Sequence, residues 1–199
     1  MEELLKLLKD VRPDVDFENM QDLPWTIGQF VWTGIDYLGE PTPYDEYWPS
    51  RSSYFGICDL AGLPKDRYYL YRSVWNKKEH TIHMLPHWSW GKERIGKSVP
   101  VQVYTDYNDA ELFINGKSQG RIQKNDFINQ DESGNQITGQ TQTNPNGDRW
   151  DVKFDTANPP NLDRFRLRWY PKYEPGELKV VAYDAQGNKA AEEVVRTAG

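Results

Sequence analysis

Trp32, Asp36, Tyr37 and Glu40 fall within nine residues of one another, and Arg51 follows shortly after. Flat indole and phenol rings pack on the C–H face of a sugar, and carboxylates accept hydrogen bonds from its hydroxyls. A guanidinium can hold such a carboxylate in a charge-assisted bond. A sugar or another polyol is therefore the ligand class these residues suit. Each also has a plainer reading. Trp32 can be a core ring, Glu40 and Arg51 can shape a loop, and Tyr37 with Trp48 can be packing.

The elements around these residues follow from the apolar pattern. Ile27, Phe30, Val31, Trp32 and Ile35 make a run too continuous for a one-sided strand and too short for a helix. It predicts a buried strand at 27–32. Pro41 and Pro43 forbid helix and central strand alike, so a loop follows Tyr37. A buried strand that opens into a loop of aromatic and acidic residues is how an α/β barrel builds the open face of its site.

Two other sets of residues were candidates for chemistry. His80, His83 and His87 are close in sequence, but in an extended segment 80 and 83 point to opposite faces, and no Cys or Asp stands at ligand spacing beside them. No metal site is expected there, and no cofactor. Cys58 is the single cysteine, which excludes an intrachain disulfide, and no neighbouring His activates it. It reads as a small buried hydrophobe.

Composition narrows the classes further. The net charge is -6 over 199 residues, so no basic face is expected to offset phosphate repulsion, and nucleic acid is not an expected partner. No run approaches the length of a membrane span, and the Leu- and charge-rich start lacks the pattern of a signal peptide. Eight Trp, twelve Tyr and seven Phe concentrate the buried area in large rings, so aromatic packing has to carry much of the core.

The chain has two textures. Residues 1–79 read as mixed α/β: Leu4, Leu5, Leu7, Leu8 and Val11 at helical spacing up to Pro13, the strand at 27–32, an extended piece at 54–58, and a helix over 65–75. That is one strand–loop–helix unit, too little to bury both faces of a parallel strand. Its unpaired edges predict packing onto the rest of the chain, dimerisation or partial disorder. Residues 80–199 read as a β-sandwich of about seven strands, the immunoglobulin-like size class. Val99, Val101 and Val103 alternate, as do Ala110, Leu112 and Ile114, and Asn115-Gly116 marks a type I′ hairpin. Phe165 to Trp169 and Leu178 to Tyr183 give further strands, and Asp184 to Asn188 another hairpin tip. Residues 123–147, rich in Asn, Gln, Gly and Thr, read as a long polar surface insertion.

Several long strings carry a family resemblance: Gly28-Gln29-Phe30-Val31-Trp32-Thr33-Gly34-Ile35-Asp36-Tyr37-Leu38-Gly39-Glu40-Pro41-Thr42-Pro43-Tyr44, then Trp48-Pro49-Ser50-Arg51-Ser52-Ser53-Tyr54-Phe55-Gly56 and Asp59-Leu60-Ala61-Gly62-Leu63-Pro64-Lys65-Asp66-Arg67-Tyr68-Tyr69. Leu85-Pro86-His87-Trp88-Ser89-Trp90 and Glu111-Leu112-Phe113-Ile114-Asn115-Gly116-Lys117-Ser118 continue it. In this order they resemble the late barrel region and following module of family 2 glycoside hydrolases of the β-galactosidase type. The resemblance implies a truncated (β/α)8-barrel segment at 1–79 and an immunoglobulin-like β-sandwich at 80–199.

It also implies a retaining hydrolase of terminal β-galactosides, which works with two carboxylates about 5 Å apart. In such enzymes the acid/base stands on an earlier strand, and the nucleophilic Glu about thirty residues before this Trp. Glu2 and Glu3 fall near that distance but sit in a Leu-rich helical pattern, so no catalytic residue is assigned. The substrate-binding set implied is Trp32, as the platform under the sugar, with Asp36, Tyr37, Glu40 and Arg51. A β-galactoside or oligosaccharide is the implied partner, and the isolated chain is expected to be inactive. Such enzymes commonly act in the periplasm or after secretion. The rival reading is a non-catalytic carbohydrate-binding or structural sandwich, with Trp88, Trp90, Tyr104, Tyr107, Trp150 or Trp169 as exposed platforms.

Overall fold

A computed structural model of the chain describes residues 13–28, 30–40, 51–124, 133, 135, 139–143, 149–153 and 163–198. The helix expected before Pro13, the rings of Tyr44, Trp48 and Trp150, and most of the polar insertion lie outside the described residues. In chain order the elements are α1 Pro13–Asp22, α2 Asp66–Trp75, β1 Ile82–Leu85, β2 Val101–Thr105, β3 Asp109–Ile114, β4 Lys117–Gln123, β5 Gly139–Thr143, β6 Arg149–Lys153, β7 Leu167–Trp169, β8 Glu177–Tyr183 and β9 Lys189–Arg196. Two compact units result: Met1–Tyr68 with Ile137–Asn161, and Tyr69–Gln136 with Leu162–Gly199.

The second unit is the sandwich that the alternation foretold. One sheet has the order β1-β2-β7 and the other β4-β3-β8-β9, with every pairing antiparallel. Period-2 patterning decides which face is covered. On β3, Ala110, Leu112 and Ile114 are buried while Asp109, Glu111 and Phe113 stay partly exposed. Val101, Val103, Leu167 and Trp169 from one sheet share a core with Leu112, Ile114, Leu178 and Val180 from the other. The β3–β4 turn is built as its sequence requires, with positive φ at Asn115 (48°) and Gly116 (78°). At the β8–β9 tip the Asp184 carboxylate accepts the Gln186 and Asn188 N–H groups at 2.9 and 2.8 Å.

Two tryptophans belong to this core and satisfy their polar atoms there. Trp88 is fully buried, packs edge-on against Tyr173 at 4.9 Å, and donates Nε1–H to Glu174 O at 2.9 Å. Trp169 donates to Gly120 O at 3.0 Å. A buried indole needs such a partner, and main-chain carbonyls supply both. These two rings are core rather than exposed platforms, which removes them from the rival carbohydrate-module reading.

In the first unit one expectation changes. Pro13 opens a helix, where its missing N–H costs nothing in the first turn, and the helix expected before it lies outside the described residues. Within the segment read as a polar surface insertion, β5 pairs with β6, which lies just beyond that segment's expected end at 147, from Gly139↔Lys153 to Thr143↔Arg149. The buried strand at 27–32 is absent: the described residues there form no strand, and Ile27 and Phe30 are fully exposed. A parallel strand is held by hydrogen bonds along its edges and by cover on its faces. Among the described residues this segment has no ladder partner, and the residues after it pair through isolated bridges, Ile35 to Cys58 and Leu38 to Ser52, rather than in a sheet. The helix expected over 65–75 is present as α2, with Asp66 in its first turn and Arg72 in its last, each suited to the helix dipole.

Candidate functional site

Two irregular segments, 33–40 and 51–58, are laced together by main-chain hydrogen bonds. Ile57 N donates to Thr33 O at 3.1 Å, Cys58 N to Gly34 O at 2.9 Å, and Asp36 N to Cys58 O at 3.1 Å. Ser53 N donates to Tyr37 O at 2.8 Å, and Gly39 N to Arg51 O at 3.0 Å. The last bond brings the backbone of Arg51 beside the turn that carries Glu40. The Arg51 side chain is exposed.

Asp36 pins this pairing from inside. It is 7% exposed, and its Oδ1 accepts the Gly56 N–H at 2.7 Å and the Ser53 hydroxyl at 3.3 Å. Its Oδ2 pairs with the Lys65 ammonium, which also donates to Tyr54 O at 3.1 Å. Ser53 is fully buried and its Oγ accepts the Tyr37 N–H at 3.0 Å. Gly56 is closely packed here: a Cβ at that position would lie 2.5 Å from Asp36 N. Lys65, Ser53 and Gly56 were not anticipated as parts of the site. A glycine inside the apolar run Tyr54-Phe55-Gly56-Ile57 is a signal of close backbone approach, but nothing in the sequence ties Lys65 to a carboxylate 29 residues away.

Asp36 titrates accordingly. Burial raises its pKa, but the Lys65 ammonium, the Gly56 N–H and the Ser53 hydroxyl together outweigh burial, and the net shift is downward from 3.8. A depressed carboxyl stabilises the folded state fully above its unfolded pKa, and loses that contribution as pH falls through the folded value. The acid limb of stability due to Asp36 therefore lies below pH 3.8. The Gly56 amide resonance, reporting on Oδ1, is expected to titrate with a midpoint under 3.8 in the wild type and with a higher one in Lys65→Met, where burial is opposed only by the Gly56 N–H and the Ser53 hydroxyl. An unchanged midpoint in the variant would remove Lys65 from this role.

On the outer side of the pairing stands the aromatic and acidic array. Trp32 is 76% exposed; its Nε1–H is donated to the Tyr37 hydroxyl oxygen at 3.3 Å, and the rings meet edge-on at 6.1 Å. Tyr37 donates in turn to Glu40 Oε2 and packs its ring edge-on to Phe55 at 5.9 Å. The Glu40 bond and a smaller burial effect raise the Tyr37 pKa above 10.0, so the phenol keeps its hydrogen at neutral pH. The structure thus brings Trp32, Tyr37 and Glu40 together, puts Arg51 on the adjoining irregular segment, and turns Asp36 inward to hold both segments.

The three histidines go separate ways. His80 Nδ1 lies 2.6 Å from Asp106 Oδ2 and its ring stacks on Tyr107. His83 stacks on Tyr69 at 3.8 Å with Glu193 near its Nδ1. His87 accepts the Ser89 N–H and packs against Trp90. No three His, Cys, Asp or Glu side chains converge among the described residues.

Comparison with known proteins bears on this arrangement. A family described as a domain of unknown function (DUF4982) matches residues 96–191. The β-galactosidase BoGH2A of Bacteroides ovatus is 40% identical over 183 residues, 90% of this chain and 16% of that protein. A crystal structure of a β-glycosidase from Bacteroides vulgatus superposes with a TM-score of 0.64 at 29% identity, over 94% of this chain and 18% of the other. A β-glucuronidase from Parabacteroides merdae shares the fold at a TM-score of 0.58 and 22% identity, again over 94% of this chain and 20% of the other. The chain thus spans about a sixth to a fifth of the length of these relatives. Together these matches support its identification as a C-terminal fragment of a glycoside hydrolase family 2 polypeptide.

Proposed function

We propose that this chain forms one wall of the sugar pocket in a retaining β-galactosidase-type glycoside hydrolase. In this reading residues 1–79 close a (β/α)8 barrel, in which the segment 27–32 becomes a strand only beside neighbours supplied by further polypeptide, and residues 80–199 are an immunoglobulin-like module. Trp32 is the platform for the galactosyl ring, Tyr37, Glu40 and Arg51 line its polar edge, and Asp36 sets the loop that carries them. The reacting carboxylates belong to polypeptide outside these 199 residues. The observation that carries the reading is the exposed Trp32 ring, fixed by its bond to Tyr37 and flanked by the Glu40 carboxylate. An apolar face beside directed polar groups is what sugar binding requires. The 40% identity to a β-galactosidase supports the same substrate class.

The purified chain is expected to show no turnover of a chromogenic β-galactoside. Galactose or lactose is expected to perturb the Trp32 indole N–H resonance, with the effect lost in Trp32→Ala. Turnover that survives replacement of Glu2 and Glu3 would overturn the assignment of the reacting acids to other polypeptide. Sugar binding lost on Trp150→Ala but kept on Trp32→Ala would favour a carbohydrate-binding module instead.

A further inference from the structure

The hydrogen bonds of the Trp32–Tyr37–Glu40 array run in one direction, and that direction selects a ligand. An indole N–H can only donate, and Trp32 gives its hydrogen to Tyr37. A phenol has one hydrogen, and Tyr37 gives it to Glu40. The series ends on an exposed carboxylate, which accepts only. A ligand group that meets this end must bring its own hydrogen. A sugar hydroxyl does. The ionised carboxylate of a uronic acid brings none, and adds a second negative charge beside the first.

A nearby cation would reverse that preference, so the cations matter. The Lys65 ammonium is committed to Asp36 and to Tyr54 O, on the inner side of the loop pairing. Arg51 is exposed, with its main chain bonded to Gly39 next to Glu40, and is the natural counter-hypothesis. The fold itself does not separate the two sugar classes, because a β-glucuronidase shares it.

We propose that Glu40 is a specificity-determining residue, which selects neutral glycosides over uronides by closing the Trp32–Tyr37 series with an acceptor-only, negatively charged group. This rests on the reading of the same wall as a sugar site, and names the class of sugar that site takes.

The test uses the 199-residue chain with methyl β-galactoside and methyl β-glucuronide, followed by saturation-transfer NMR at neutral pH and low salt. The galactoside is expected to bind about fivefold or more tightly than the glucuronide, a gap typical of one exposed like-charge contact. Glu40→Gln is expected to bring the two within about twofold, chiefly by strengthening glucuronide binding. Raising salt to about 0.5 M should narrow the wild-type gap and leave the variant unchanged. Equal or tighter glucuronide binding by the wild type overturns the proposal while leaving the sugar wall intact, and its loss in Arg51→Gln would name the cation responsible. A gap that survives Glu40→Gln overturns the role of Glu40. Binding of neither sugar overturns the sugar-wall reading, and the inference with it.

Discussion

Truncating Trp88 to alanine is expected to lower the stability of the sandwich by about 3–5 kcal/mol, while the same truncation at Trp32 is expected to cost about 0.5 kcal/mol or less. The rings are chemically identical, so the difference is entirely one of place. Trp88 is fully buried between Tyr173 and the rest of the inter-sheet core, and its N–H pairs with Glu174 O. Removing it leaves a cavity that the β1–β2 connection and β8 cannot close, and strips the main-chain carbonyl of its partner. Trp32 keeps 76% of its surface in solvent and touches the fold chiefly through Tyr37. Denaturant unfolding followed by far-UV circular dichroism checks both, with a lower midpoint and unchanged slope expected for Trp88→Ala only. Equal midpoints for the two variants would mean that Trp32 is packed, and would leave the platform without its main physical support.

That contrast marks where the sequence could be read and where it could not. The sandwich strands were legible because their information is local. Alternation on 99–103, 110–114 and 165–169 fixes which side chains turn inward, and Asn115-Gly116 supplies the two positive-φ residues of its hairpin. Trp32 and Trp88 were not distinguishable by such rules, since each stands in an aromatic, turn-bounded segment. The run at 27–32 was misread for a related reason. Its apolar residues satisfy the pattern of a buried strand, but a parallel strand exists only by virtue of neighbours far away in sequence. Family resemblance pointed to Trp32, Tyr37 and Glu40 as a group. It did not reveal that Asp36 is sealed against Ser53, Gly56 and Lys65, because that contact joins residues 17 to 29 positions apart, with no periodicity to announce it.

The inward turn of Asp36 makes Gly56 the position where one methyl group should do most damage to the site. A Cβ there would lie 2.5 Å from Asp36 N, 2.7 Å from Asp36 Oδ1 and 2.7 Å from Cys58 O. Two of these atoms are backbone and the third is pinned by Ser53 and Gly56 itself, so none can yield cheaply. Segments 33–40 and 51–58 must then separate, giving up the Gly56-to-Asp36 bond. Overpacking of this kind costs about 1–3 kcal/mol, and loss of a hydrogen bond to a charged group about 1.5–3 kcal/mol more. Gly34→Ala is the matched control, because it makes the same change in the same pairing and its Cβ would meet nothing within 4 Å. Amide hydrogen exchange across 33–38 and 52–58 is expected to accelerate by at least about tenfold in Gly56→Ala, and the Trp32 indole resonance to move toward its free position. Gly34→Ala should leave both close to wild type. If Gly56→Ala spares the exchange rates but abolishes sugar binding, Asp36 is acting on the ligand directly. If it loosens the loops and sugar binding fails with them, Asp36 acts by holding Trp32, Tyr37 and Glu40 in register, which is the outcome its burial beneath them favours.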